Sequence, residues 1–171
     1  PDSIDMIAIG GSFCNGDIYE KSDLDLVIIS RDEKAKCLDQ CFILGDVAMD
    51  VYTHDWTGFE RMSEYSNPYV TKLIDLDIVY AYDEEVIKRY KALQSNLLSN
   101  MNNDGIINKN VQKHFSHAVL ELNNLNSNES DLGLAYRSLG HIVRDIEYVI
   151  YMINKSYVKR DGTQKADTYS A

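Results

Sequence analysis

The chain has 171 residues, a formal net charge of −10 and a pI near 4.7. With 44% hydrophobic residues, 12 Tyr and only 2 Pro it can build a core, which excludes a disordered chain, while its excess of acid disfavours broad contact with nucleic-acid backbone. No stretch approaches the roughly 20 apolar residues of a membrane span, and three cysteines are odd in number and too sparse for a disulfide scaffold, so a reducing cytoplasm is the expected location. The first residues carry no signal-peptide pattern and lead straight into an apolar segment, as in a piece cut from a longer protein.

In chain order, residues 4–9 are apolar and β-branched and predict a strand, ended by Gly10-Gly11 where side chains would obstruct a ligand. Residues 13–19 read as a short polar connection with a helical turn, 24–30 as a second strand, and 32–40 as a charged helix. Gly45-Asp46 is a turn signal between strands over 41–44 and 47–53, which predicts an antiparallel pair. Asp55 caps a helix over 56–65, Asn67-Pro68 interrupts it before a short helix ending at Leu73, and 78–82 is the last strand. Asp83, followed by Glu84 and Glu85, caps a helix to about residue 99, and the Asn-rich run 100–105 breaks it. Beyond that break Val111, Phe115, Ala118, Val119, Leu122 and Leu125 recur at three and four. From Asp131 a second helix carries Leu134, Leu139, Ile142, Val143, Ile146, Val149, Ile150 and Ile153. Two such amphipathic helices make a hairpin that needs a partner surface. The expected class is α+β: a mixed sheet with flanking helices over 1–100, a helical hairpin over 106–157, and a polar tail over 158–171.

The chemistry concentrates in three acids. On a strand, the period of two puts Asp23 and Asp25 on one face and Leu24 and Leu26 on the other. Asp50, flanked by Met49 and Val51, shares a face with Ala48 and Tyr52 and meets the pair if its strand lies beside the second. Clustered carboxylates raise a pKa or recruit a cation, and an all-oxygen set suits Mg²⁺ or Mn²⁺ completed by waters and substrate phosphates. Backbone N–H groups of the glycine turn, with the Ser12 hydroxyl, can hold phosphate oxygens. Because the acids sit within otherwise apolar strands, a metal site is preferred to solvated strand-end acids.

Other groups have plainer readings. Cys14, two residues past Ser12, is preferred as a packed residue, and Cys37 and Cys41 as structural rather than zinc-binding. A satisfied polar face explains His114 and His117 better than a metal does, and a surface role suits His54 better than the cleft. Tyr148, Tyr151 and Tyr157, with Arg137 and Arg144, are candidates for an acceptor or base pocket. With the first half committed to phosphate and metal, the wall facing an acceptor is expected from 106–157, where Glu121, Asp145 and Glu147 add charge that favours a cationic acceptor.

Gly11-Ser12, the spacer, Asp23-Leu24-Asp25 and the third acid in 47–52 together resemble the catalytic core of the polymerase-β-like nucleotidyltransferase superfamily. The chain is most similar to its bacterial group of antibiotic nucleotidyltransferases. The resemblance covers about residues 4–83, with a weaker likeness in the helices. It implies transfer of a nucleoside monophosphate, most often AMP from ATP, onto a hydroxyl of a small molecule such as an aminoglycoside-like or lincosamide-like antibiotic, releasing pyrophosphate. Asp23 and Asp25 would hold the metal bridging the triphosphate; Asp50 would hold a second metal or act as general base. Gly11, Ser12 and Ser22 would bind the nucleotide. Two alternatives share this core: an antitoxin-type nucleotidyltransferase that binds or adenylylates a helical partner protein, and a non-catalytic nucleotide-binding module. A homodimer is compatible with any of them.

Overall fold

Alternation along two central strands builds the architecture. Strand β1 (Ile4–Gly10) buries Met6 and Ala8 on one face and leaves Ile7 and Ile9 half-buried on the other. After a one-turn helix α1 (Ser12–Asn15), β2 (Leu24–Ser30) repeats the pattern, with Asp25, Val27 and Ile29 inward. β3 (Gln40–Leu44) and β4 (Val47–His54) form the antiparallel pair expected around Gly45, whose φ of +64° suits a glycine turn. With β5 (Asp77–Ala81) they make a five-stranded sheet in the order β3-β4-β2-β1-β5, in which only β2 and β4 run parallel. The sheet is therefore mixed, and the chain is α+β. The structure, a computed structural model, describes residues 3–15, 22–31, 39–127 and 131–158.

Helices α2 (Trp56–Ser63), α3 (Thr71–Ile74) and α4 (Glu84–Met101) supply Trp56, Phe59, Leu73 and Tyr90 to the core over Met6, Ala8, Val27 and Ile29. The same core runs on through Leu97 and Met101 to Ile107 of α5 (Asp104–Ser127) and Met152 of α6 (Leu132–Ile153). The predicted caps are present: Asp55, Asp83 and Asp131 each accept a hydrogen bond from the backbone N–H three residues on.

Several boundaries differ from expectation for local reasons. The first helix after β4 ends at Ser63 because Tyr65 takes a left-handed φ of +53° to drop its ring into the core. The break predicted over 100–105 shrinks to Asn102 and Asn103. The Asn102 side-chain amide donates to the Leu98 carbonyl, and Asn103 Oδ1 accepts from the N–H groups of Gly105 and Ile106, so the asparagines cap two abutting helix ends. Of the helix predicted over 32–40, residues 32–38 lie outside the described residues, and Gln40 already opens β3. Residues 16–21 and 159–171 lie outside them as well.

The hairpin departs furthest from the pattern that predicted it. Part of its apolar stripe faces outward: Phe115 is 61% exposed and Val143 59%, with Val119, Leu122, Leu139 and Ile146 also open, while Ala118 is buried and Val111 packs against the core. The buried positions instead include Asn110 and His114 on α5 and Ser138 and Asp145 on α6.

One polar anchor organises the far end of the sheet. Buried Asp5 accepts a hydrogen bond of 2.6 Å from Trp56 Nε1 and another from Arg31 Nε, while the Arg31 guanidinium lies 4.0 Å over the Tyr82 ring. This group joins β1, the end of β2, α2 and the end of β5. Asp5→Ala leaves the indole N–H buried without its acceptor, which costs about 1–3 kcal/mol. A urea titration is expected to show a lower midpoint at an unchanged slope, and a smaller fall for Arg31→Ala, whose partner keeps the indole hydrogen bond.

Candidate functional site

The inward face of the sheet changes character along its length. Val27 and Ile29 are covered by helices, but two residues earlier the same face presents Asp25, 7% exposed, and ahead of β2 stands exposed Asp23. On one side Asp25 pairs with Gly10 of β1; on the other it pairs with Asp50 of β4. The parallel register thus sets two carboxylate-bearing residues directly side by side. Gly11 sits against them with a φ of +71°, and a Cβ added there would lie 1.9 Å from Asp25 Oδ2. Glycine is required for both conformation and space.

Ser12 follows as the first residue of α1. Its Oγ is buried and finds no hydrogen-bond partner among the described residues, which is unusual for a hydroxyl and leaves a donor and acceptor next to Asp25 and Gly11. Ser22 is half-buried one residue ahead of Asp23. The described structure therefore brings Gly11, Ser12, Asp25 and Asp50 together, with Asp23 at the rim.

Three neighbours escaped sequence reasoning. Cys41 pairs with Asp50 across β3 and β4, and its thiol pKa is pushed up by the hydrogen bond to Asp50, then by partial burial and the charges of Asp50 and Asp23. Tyr52, whose shared face with Asp50 was the available signal, brings its hydroxyl 3.4 Å from Asp50 Oδ2. Lys72 of α3 places its ammonium 3.4 Å from the centre of the Tyr52 ring, the ring whose hydroxyl reaches Asp50. Nothing in the local sequence of α3 announces this contact.

The remaining candidates separate. Cys14 donates its S–H to the Ile9 carbonyl at 3.0 Å, and burial first of all raises its pKa, as a packed residue requires. His54 is not on the surface: its ring packs edge-on against Phe59, its Nε2 is buried with no partner among the described residues, and burial followed by the charge of Lys72 lowers its pKa. Tyr151 belongs to the core, Tyr148 packs against Tyr69 and His114, and the Tyr157 hydroxyl donates to Asp75 Oδ1 at 2.9 Å. Asp145 is 2% exposed and is not part of a solvated face.

No protein-family model matches the chain, and no curated protein sequence matches it. Among solved structures it is similar to a nucleotidyltransferase-like protein from Exiguobacterium sibiricum, with a TM-score of 0.53 and 10% sequence identity over 96% of this chain and 57% of that one. At 10% identity the likeness is one of fold, and the chain spans 57% of the neighbour's length. The fold is nucleotidyltransferase-like. No helix among the described residues is long and apolar enough to cross a membrane.

Two substitutions separate architecture from binding. Gly11→Ala forces a side chain into the space of the Asp25 carboxylate at a left-handed position, and the melting temperature is expected to fall, the backbone term alone being about 1–2 kcal/mol. Ser12→Ala removes a buried hydroxyl that has no described partner, so calorimetric melting is expected to show equal or slightly raised stability.

Proposed function

We propose that the chain is a metal-dependent nucleotidyltransferase acting at the Gly11, Ser12, Asp23, Asp25 and Asp50 cluster. The observation that carries this reading is the β2–β4 register, which sets Asp25 beside Asp50 with the Gly11–Ser12 turn against them. The donor set fits a hard divalent cation: it consists of three carboxyl side chains, and the buried Ser12 Oγ has no hydrogen-bond partner among the described residues. Mg²⁺ or Mn²⁺ held by Asp23 and Asp25 would neutralise the triphosphate, which leaves Asp50 for the general-base role.

The chain's own residues divide the remaining work. Gly11 lets phosphate oxygens approach the backbone, and the Ser12 hydroxyl donates to one of them, with Ser22 beside the nucleotide. The acceptor oxygen attacks the α-phosphorus of a nucleoside triphosphate, ATP by preference. The new O–P bond forms as the Pα–O–Pβ bond breaks, pyrophosphate leaves, and Asp50 takes the hydroxyl proton as general base. Lys72, beside Tyr52, balances charge on the acceptor side. Residues 106–157 would form the acceptor wall, and the acidic surface favours a cationic small molecule such as an aminoglycoside-like antibiotic. This chemistry belongs in the cytoplasm, where nucleoside triphosphates are found.

A second reading is favoured by one observation, the exposed apolar stripe of α5 and α6, which suits an antitoxin-type protein with a helical partner. In that case the chain elutes with a second small protein under native conditions, and the adenylylated hydroxyl belongs to that protein.

Titration calorimetry is expected to show ATP binding in Mg²⁺ and a loss of at least tenfold in EDTA, because carboxylates and triphosphate repel one another without a cation. Equal affinity in the two buffers would rule out the metal role. Asp50→Asn keeps shape but removes charge and base, so transfer from radiolabelled ATP should drop by about 10²–10⁴-fold with the melting curve preserved. A variant retaining most of its turnover would make Asp50 structural.

A further inference from the structure

Away from the carboxylate cluster, α5 and α6 meet along a seam of polar residues. On α5 the positions Asn110, His114, His117 and Glu121 recur at four, three and four; on α6 Ser138, His141 and Asp145 recur at three and four. The buried end is closed: His114 Nδ1 lies 2.9 Å from Asp145 Oδ1 and its Nε2 3.0 Å from the Ser66 carbonyl, so both ring nitrogens are engaged. The outer end is different. His117 and Glu121 are neighbours one turn apart on α5, and His141 faces them from α6, so that one ligand atom from each lies within 4.8 Å of the other two.

We propose that His117, Glu121 and His141 bind a zinc-type divalent cation that clips α5 to α6. Three features of the geometry support a metal rather than hydrogen bonds alone. Glu121 Oε1 is 3.7 Å from His117 Nε2 and 3.3 Å from His141 Nδ1. Tetrahedral zinc bonds of about 2.0–2.1 Å place neighbouring ligand atoms about 3.3–3.4 Å apart, so a small closure completes the site. The second feature is orientation. His117 Nδ1 is 2.5 Å from Asp145 Oδ2, a hydrogen bond that places a proton on Nδ1, so that in the neutral ring Nε2 turns its lone pair toward Glu121. A lone pair opposed to a carboxylate calls for a cation between them, and a buried carboxylate behind a ligating imidazole is the usual outer support of a zinc ligand.

The third feature is availability. Glu121 Oε1 is within reach of both rings, and the Glu121 side chain is 15% exposed. The side chains of His117 and His141 are 43% and 30% exposed, which gives an entry path and leaves a fourth position for water. Two imidazoles and one carboxylate suit Zn²⁺, Co²⁺ or Ni²⁺ and select against Mg²⁺, so this site and the three acids would take different ions.

The experiment titrates Zn²⁺ alone into EDTA-stripped protein at pH 7.5, with excess Mg²⁺ present to occupy the carboxylate cluster. One Zn²⁺ per chain is expected, with a rise in melting temperature. His141→Ala and Glu121→Ala should weaken binding by at least about tenfold and remove that rise, and Asp145→Asn should weaken it by about 10–100-fold. Circular dichroism checks that the variants are folded. Co²⁺ in the unaltered chain should give the intense visible bands of a four- or five-coordinate ion, a readout independent of any substitution. Wild-type protein that binds no Zn²⁺, folded His141→Ala with wild-type affinity, or a pale octahedral Co²⁺ spectrum would each overturn the assignment.

Discussion

Placing two carboxylate-bearing residues side by side on adjacent strands is the constraint on which the first half of the molecule depends. Asp25 and Asp50 are Cα partners in the one parallel pairing among the described residues, and Gly11 is pressed against the Asp25 carboxylate. Such an arrangement stores repulsion unless a cation or a proton relieves it. The surroundings hold it in place from every side. Apolar Val27 and Ile29 continue the same face into the core, and Asp5, Trp56 and Arg31 tie the opposite end of the sheet. The local destabilisation is confined to the edge of a packed layer, where a rigid backbone keeps the acids together.

The fold was largely legible because its strands and caps announce themselves. Alternation in 4–9 and 24–30, the Gly45-Asp46 turn, and the aspartates at 55, 83 and 131 all correspond to observed features. The neighbouring of Asp25 and Asp50 was conditional on which strands pair, and pairing is non-local. Lys72 was illegible for the same reason, reaching Tyr52 through tertiary placement, whereas Cys41 was legible and overlooked: the Gly45-Asp46 turn that pairs Leu44 with Val47 carries Cys41 to Asp50. His54 followed the opposite course, being judged a surface residue although its alternation with Asp50 and Tyr52 already placed it on the inward face.

The hairpin shows where a periodicity argument loses its direction. Apolar spacing at three and four correctly signals a helix, but it does not say which face turns toward the rest of the chain. Here the polar residues carry an equally regular spacing, and theirs is the seam. His114 is satisfied as expected of a polar face. His117, three residues on, is only half explained by that reading, since its second nitrogen confronts Glu121. Burial decides the difference: Asp145, 2% exposed, would be costly as an isolated charge, and the hydrogen bonds from His117 and His114 outweigh burial and lower its pKa.

The segment between α2 and β5 joins these two polar systems. The Tyr65 carbonyl accepts from Asn110, the Ser66 carbonyl engages His114, and the Pro68 carbonyl accepts from the Val158 N–H, so the helical half grips residues 65–68 by their backbone. A few residues later the same segment places Lys72 over Tyr52 and presents Asp75 to the Tyr157 hydroxyl, with the Asp75 carbonyl close to Gly10. The helical half thus contacts the segment that carries the short helix α3 and, on it, Lys72. Residues 65–75 are thereby in contact with both the α5–α6 seam and, through Tyr52, the neighbour of Asp50, while the register of β2 and β4 fixes where Asp25 and Asp50 stand.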